Sequence, residues 1–445
     1  MISEECITYD WIKSNSKKGH VQDILLEKMI RALILLEGLA ESDLNFVFKG
    51  GTSLVLLLDP IRRLSIDIDI ITPDKNGLDE ILQKICEDKG FLRYERNFRQ
   101  DPISAEFVEF SESVKSFDFT ESVKSIDFTE SVKSIDFTES VKSIDFTESV
   151  KSIDFTESVK SIDFTESVKS IDFTESVKSI DFTESVRSDE AVKAPALIQK
   201  EHYKLYYESV LGENEEYVLL DVLREEILYT KTVFTDIFHE FLLTDGENII
   251  VQIPDCNNLL GDKLTAFAPN TSGIPYQKNG RDMGMEIIKQ MFDIGCLFDE
   301  ADDMQVVAEV FTKFAETELS YRKSGANCID VLNDIIETAL AICLNEDRKN
   351  TNLKILNRGL VSVRSYIFSG KFNMNQALIA SSKTAYAASI IKTDRVEINR
   401  FKSAVNVKDL KINGSLDTKT TRMLKKVNPE AFYYLYQISL ISGEE

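Results

Sequence analysis

With 445 residues, 43% of them hydrophobic, the chain is long enough for two or three domains and at least one sizeable core, so size does not confine it to a small binding module. A formal charge of −23 excludes a protein that holds nucleic acid through a bulk basic surface, and any RNA contact must be local. Cys6, Cys86, Cys256, Cys296, Cys328 and Cys343 form no CxxC pair, and His20, His202 and His239 show no ligand spacing; this argues against a zinc site and for small buried thiols in a reducing compartment. The N-terminus MISEECITYDW lacks a basic region followed by an apolar one, and no run reaches the roughly 18 apolar residues of a membrane span. A cytoplasmic protein with no membrane partner is expected.

Residues 20–40 place Ile24, Leu25, Ile30, Leu33, Leu35 and Leu36 at broadly helical spacing. The short apolar run 45–48 ends at Gly50-Gly51 and reads as a strand leading into a tight turn, after which 52–58 resumes as a helix. Residues 64–71 alternate, with Leu64, Ile66, Ile68 and Ile70 on one face and Ser65, Asp67 and Asp69 on the other, as in a strand. A helix over 77–89 and strands over 91–98, 203–207 and 217–223 follow, the last reading YVLLDVL. From Asp255 the pattern turns helical, over 256–268, 282–298, 301–318, 328–344, 350–368 and 374–391. The expected organisation is an α+β core in two parts, 1–111 and 189–254, around an insert at 112–188, followed by an all-α C-terminal domain at 255–445. Within that domain, 392–426 holds Lys392, Arg395, Arg400, Lys402, Lys408, Lys411, Lys419, Arg422, Lys425 and Lys426 against four acidic residues. It is the one basic region of an acidic chain.

The insert repeats the nonapeptide ESVKSIDFT from Glu112 to Thr183 in eight full copies, with Phe117 the only substitution, and a partial copy ends at Ser188. Nine residues is two and a half helical turns, so one helix face cannot collect the apolar positions. An odd period also inverts the pleat of a continuous strand, and no Gly, Pro or Asn supplies turns. Near-identity of the copies favours a solvated, weakly ordered insert. The alternative is a stacked β-coil in which each copy buries its Val, Ile and Phe on the next. Either structure requires the insert's ends, near Phe110 and Asp189, to lie close together.

Three pieces of chain carry chemistry. In KGGTSL, Lys49 to Leu54, two glycines allow close backbone approach to a phosphate, the helix start offers unpaired N–H groups, and Ser53 adds a hydroxyl. Asp67 and Asp69 lie on one face of a strand, on the order of 7 Å apart along the chain, as hard ligands for one or two Mg²⁺ ions. Asp221 is a lone acid in an apolar strand; buried unpaired it would be costly, so it calls for a cation or strong hydrogen bonds. On a neighbouring strand it would join Asp67 and Asp69 as a third metal ligand, and could help remove the proton of an incoming hydroxyl.

KGGTSL followed by RLSIDID resembles the GG-T-[SA]-L and R-x-S-x-D-x-D signatures of the nucleotidyltransferase toxins of the AbiEii/AbiGii type, a branch of the DNA polymerase β-like superfamily. The resemblance continues at Lys263 in GDKLTAF and Asp293 in KQMFDIGCL, and covers roughly residues 20–110 and 200–300. It implies a small mixed sheet with helices, closed by an all-α C-terminal domain. It further implies Mg²⁺ or Mn²⁺ at Asp67, Asp69 and Asp221, and an NTP held by Gly50, Gly51, Thr52, Ser53, Arg63 and Lys263. Lys263 would neutralise the triphosphate, Asp293 would orient that lysine or sit near the nucleotide, and Arg63 would contact phosphate or brace the loop. The pattern is departed from at the insert and at Lys289-Gln290, where relatives usually show Arg-Asp.

The expected activity is transfer of a nucleoside monophosphate from an NTP to a hydroxyl acceptor, the 3′ end of tRNA or another RNA, in toxin–antitoxin or phage-defence biology, with a cognate antitoxin as partner. The alternatives are a defence nucleotidyltransferase that modifies a protein or makes a nucleotide polymer, and a non-catalytic scaffold built on the repeat.

Overall fold

A computed structural model describes residues 1–74, 77–96, 200–212, 214–322, 325–344, 351–368 and 372–442 in full, and between residues 107 and 182 the backbone of the strands. The chain divides into two units, Met1–Phe98 with Pro195–Glu445, and Arg99–Ala194.

The first unit is mixed α/β, with a mixed sheet and a helical C-terminal region. Its sheet runs in the order Val47–Lys49, Asp67–Ile71, Glu215–Leu223, Lys200–Glu208, Arg93–Arg96. Asp67–Ile71 and Glu215–Leu223 pair in parallel, and the other neighbours are antiparallel. Period-two patterning sets the faces: Val218, Leu220 and Val222 are buried, while Leu219 and Asp221 between them are half-buried on the other side. The buried face packs on Asp23–Ala40, whose Leu26, Met29, Leu33 and Leu36 meet Phe48, Ile68, Ile70, Tyr203 and Leu205. That helix is shorter than the expected 20–40 because a separate helix, Tyr9–Gly19, ends at His20 in left-handed backbone, φ 52°.

The helical region comprises Cys256–Ala266, Gly284–Glu300, Met304–Tyr321, Cys328–Leu344, Thr351–Ser362, Met374–Lys392, Lys419–Val427 and Pro429–Ile441. Side-chain caps fix several starts. Asp255 accepts from Asn258 N, Asp303 accepts from Gln305 N and Val306 N, and Asn373 forms a capping box with Gln376. The Asp303 cap moves the start of that helix three residues past the expected 301. Also not anticipated were the helix Tyr9–Gly19, the hairpins of Thr232–Asp236 with Ile250–Pro254 and of Gln277–Lys278 with Arg281–Asp282, and the last two helices.

The Gly50–Leu57 helix joins the two cores. Leu54 and Leu58 enter the helical core beside Leu260, Leu264 and Ile294, whereas Val55 enters the sheet core. The segment that follows the glycine turn is therefore gripped from both sides.

In the second unit, strands of alternate copies pair in parallel. One sheet runs Ser179–Phe182, Val159–Phe164, Val141–Phe146, Val123–Phe128, Phe107–Phe110, and another runs Val168–Phe173, Val150–Phe155, Val132–Phe137, Ser116–Phe119. The register is homologous, Ile144 opposite Ile162 and Ile126 opposite Ile144. Whether Val, Ile and Phe are buried between copies, and where Asp189 lies, fall outside the described residues. Within the first unit, Arg93–Arg96 and Lys200–Glu208, the strands that precede and follow the insert, are antiparallel neighbours, with Arg96 opposite Tyr203.

Leu54 is 4% exposed at the joint between the cores. Leu54→Ala is expected to cost about 2–5 kcal/mol in urea denaturation, the range for a leucine truncated in a packed core. A cost below about 1 kcal/mol would show that this helix is not held by the helical core.

Candidate active site

The parallel register places Asp221 opposite Asp69 and Leu219 opposite Asp67. On the flanking strands Lys49 stands opposite Asp69 and His202 opposite Asp221. One line across four strands thus reads Lys49, Asp69, Asp221, His202. His202 Nδ1 lies 2.7 Å from Asp221 Oδ1. Lys49 Nζ lies 3.2 Å from Asp262 Oδ2, which also accepts from the Tyr229 hydroxyl at 2.6 Å. Burial acts to lower the Lys49 ammonium, but Asp262 and Asp69 outweigh it and hold the group above its ordinary value. Asp69 is pushed up to about 7, first by burial and then by Asp221 and Asp67, against the pull of Lys263 and Lys49.

The glycines serve this cluster directly. Gly50 has φ +81°, and a Cβ there would overlap Asp69 Oδ2; a Cβ on Gly51 would overlap Arg63 Nη2 and lie 2.8 Å from Ser65 Oγ. Only glycine leaves room for the carboxylate and the guanidinium beneath the turn. Thr52 and Ser53 are fully buried. Thr52 Oγ1 donates to Asp67 O at 2.5 Å, tying the helix to the acidic strand, and Ser53 Oγ donates to Gly50 O at 2.9 Å. The Ser53 hydroxyl, read from sequence as a phosphate donor, is thus bonded inside the turn.

Arg63 is buried and bidentate on Asp293, with Nε to Oδ1 at 2.6 Å and Nη2 to Oδ2 at 2.8 Å, and its Nη1 donates to Leu64 O at 3.0 Å. Lys263 Nζ reaches Asp293 Oδ2 at 3.2 Å and Gln290 Oε1 at 3.1 Å. Burial alone would raise the Asp293 carboxyl, but Arg63 and Lys263 hold it below the usual range. Asp293 thus holds Arg63 and Lys263 together on one carboxylate.

The donor set at Asp67, Asp69 and Asp221 is all carboxylate oxygen, which suits a hard divalent cation, and such an ion would offset the burial and the neighbouring acids that together raise Asp69. In donor type alone these residues would suit Mg²⁺ or Mn²⁺. Among the described residues, no group of three or more His, Cys, Asp or Glu side chains is placed so as to hold a metal ion. One oxygen of Asp221 is engaged by His202. A separate cleft of about 240 Å³, lined by Arg62, Phe292, Cys296, Phe372 and Lys383 among others, includes none of the three carboxylates.

Sequence reasoning passed over Lys49 as a charge, and over Asp262, Tyr229 and His202. Only the strand register could have signalled His202. The basic stretch 392–426 is not one helical face. Arg400 donates to Phe298 O and Ala301 O, closing the end of Gly284–Glu300, Lys425 donates to Leu410 O, and Arg422 pairs with Asp417.

Two outcomes follow from these charges. Asp293→Ala leaves Arg63 buried and uncompensated, so a loss of about 3–5 kcal/mol is expected by chemical denaturation, and the Arg63→Ala/Asp293→Ala pair should cost less than the sum of the singles. Strict additivity would contradict this pairing. For Asp69, a carboxyl raised from 3.8 to about 7 favours folding when protonated. Its contribution is present at acidic pH and is lost as pH rises through about 7. Without divalent cations the melting temperature should therefore fall between pH 5 and pH 8, and Asp69→Asn should flatten that part of the profile; identical profiles would contradict a raised Asp69 carboxyl.

The family model described as nucleotidyl transferase AbiEii toxin, type IV TA system, matches residues 34–129. Curated proteins gave no match. Among solved structures, JHP933 from Helicobacter pylori is 11% identical over 88% of this chain and 94% of its own, with a TM-score of 0.32. A candidate nucleotidyltransferase from H. pylori is 10% identical over 83% and 93%, with a TM-score of 0.31. The matched segment includes Gly50, Gly51, Arg63, Asp67 and Asp69, and is similar to the nucleotidyl transferase AbiEii toxin family.

Proposed function

We propose that the chain transfers a nucleoside monophosphate from an NTP to a hydroxyl of RNA, the 3′ end of tRNA being the leading acceptor, and releases pyrophosphate. The observation that carries this reading is the line Lys49, Asp69, Asp221, His202 beside the glycine turn, with Asp67 two residues before Asp69. Asp67, Asp69 and Asp221 would hold Mg²⁺ or Mn²⁺, which when bound neutralises phosphate charge and makes a hydroxyl more acidic. His202 orients Asp221, which takes up the proton of the acceptor hydroxyl. The glycine turn lets backbone N–H groups approach the polyphosphate. Lys49, held by Asp262, offsets the negative charge on Asp69.

RNA is favoured as acceptor because Lys392, Arg395, Lys402, Lys408 and Lys411 lie in the one stretch of sequence where basic residues outnumber acidic ones in an otherwise acidic chain. The toxin family also implies a cognate antitoxin and a role in toxin–antitoxin or phage-defence biology.

The test is incubation with each labelled NTP, total RNA and total protein. Label in RNA is expected, abolished by EDTA and lowered about 10²–10³-fold or more by Asp67→Asn, Asp69→Asn or Asp221→Asn. Label in protein alone overturns the RNA acceptor. Growth arrest that persists with Asp67→Ala/Asp69→Ala overturns catalysis as the basis of toxicity and leaves the scaffold reading.

A further inference from the structure

The cleft of about 240 Å³ beside Gly284–Glu300 is formed by that helix, by Phe372 and Met374–Lys392, and by Arg62 and Ile367. Its apolar lining comes from Phe292 and Phe372, whose ring centres lie 5.2 Å apart with planes at 86°, and from Ile367, Ile379 and Ala380. Cys296 adds to that surface: burial pushes its thiol up to about 12, so it stays neutral and unreactive.

The charged groups of the cleft are unequally satisfied. Lys383 Nζ lies 2.8 Å from Asp299 Oδ1, 2.9 Å from Asp299 Oδ2 and 3.2 Å from Glu430 Oε1. The one acid that lines the cleft therefore has both oxygens on an ammonium. Arg62 differs. Its backbone is fixed, since its carbonyl accepts from Phe368 N at 3.1 Å and Arg63 bridges Ile367. Its half-buried guanidinium makes no hydrogen bond or ion pair among the described residues.

A guanidinium holds its donors in a planar fork that matches the two oxygens of a carboxylate. A cationic ligand has no comparable opening here, because Lys383 already occupies Asp299. A volume of about 240 Å³ is below the roughly 300–1,000 Å³ of sites for drug-sized molecules, so the occupant is small. Two phenyl rings in the lining favour an aromatic body, which can meet them edge to face or offset. The plain alternative is packing left incomplete between two helices, with Arg62 extended to water along its apolar stem.

We propose that this cleft binds a small aromatic carboxylic acid, with its ring among Phe292, Phe372 and Ile379 and its carboxylate on Arg62. The site does not depend on the nucleotidyltransferase reading. The test is a ligand-observed NMR titration of 3-phenylpropionate, and of the uncharged 3-phenylpropanamide, with the unmodified chain, Arg62→Gln and Ile379→Trp. Circular dichroism confirms that each variant is folded. The acid is expected to bind the unmodified chain saturably, with a dissociation constant of about 1 mM or tighter. Arg62→Gln should weaken the acid about tenfold or more and leave the amide unchanged. Ile379→Trp, which fills the cleft, should weaken both. No saturable binding of the acid by the unmodified chain overturns the proposal and leaves incomplete packing. Acid binding that Arg62→Gln leaves unchanged overturns the carboxylate contact, and acid binding that Ile379→Trp leaves unchanged overturns the cleft as its place. Should Ile379→Trp not fold, Ile379→Phe provides the same comparison.

Discussion

Asp69 and Asp221 face each other across a parallel ladder, and two carboxylates so placed repel. Much of the surrounding arrangement answers that repulsion. Lys49 and His202 flank the pair on the outer strands, and Asp262 with Tyr229 fixes Lys49. Gly50 leaves the Asp69 carboxylate its space. A sheet evolved only for stability would have little reason to align acids on adjacent strands. The cost is understandable where a cation and a polyphosphate complete the charge balance.

The second organising element is the buried Arg63–Asp293 pair, which spans 230 residues of sequence. Arg63 precedes the acidic strand and Asp293 lies in the helical region, so the pair fixes the carboxylate sheet relative to Gly284–Glu300. Buried ion pairs are poor sources of stability compared with apolar packing, but breaking one is costly. Such a pair therefore specifies one arrangement of two cores. The Gly50–Leu57 helix makes the same connection by apolar means, with Leu54 in one core and Val55 in the other.

Local pattern made much of this legible. Strict alternation marked Asp67 and Asp69 as sharing a strand face, a lone acid in YVLLDVL marked Asp221, and the glycine pair marked the turn. The helical spacing from Asp255 onward gave the C-terminal region, with ends shifted by caps such as Asp303. What stayed hidden depends on contacts between distant residues. His202 and Lys49 acquire their places only through strand register, Tyr229 and Asp262 only through tertiary packing, and the inward use of Arg400 only through the end of a helix about 100 residues away. The glycines also carried a second meaning, room for Asp69 and Arg63, that no spacing rule contains.

The repeat departs between two antiparallel neighbours, and Arg93–Arg96 is the edge strand farthest in the sheet from Val47–Lys49. Lengthening a connection there raises the closure cost only logarithmically and need not alter the register of Asp69 with Asp221. The account stands or falls on those two residues and Asp67 acting together on one hard cation. Calorimetric titration of Mn²⁺ into the unmodified chain and into Asp221→Asn at pH 7.5 tests this directly. The account predicts saturable binding by the unmodified chain that Asp221→Asn weakens about tenfold or more; equal binding by the two would contradict it.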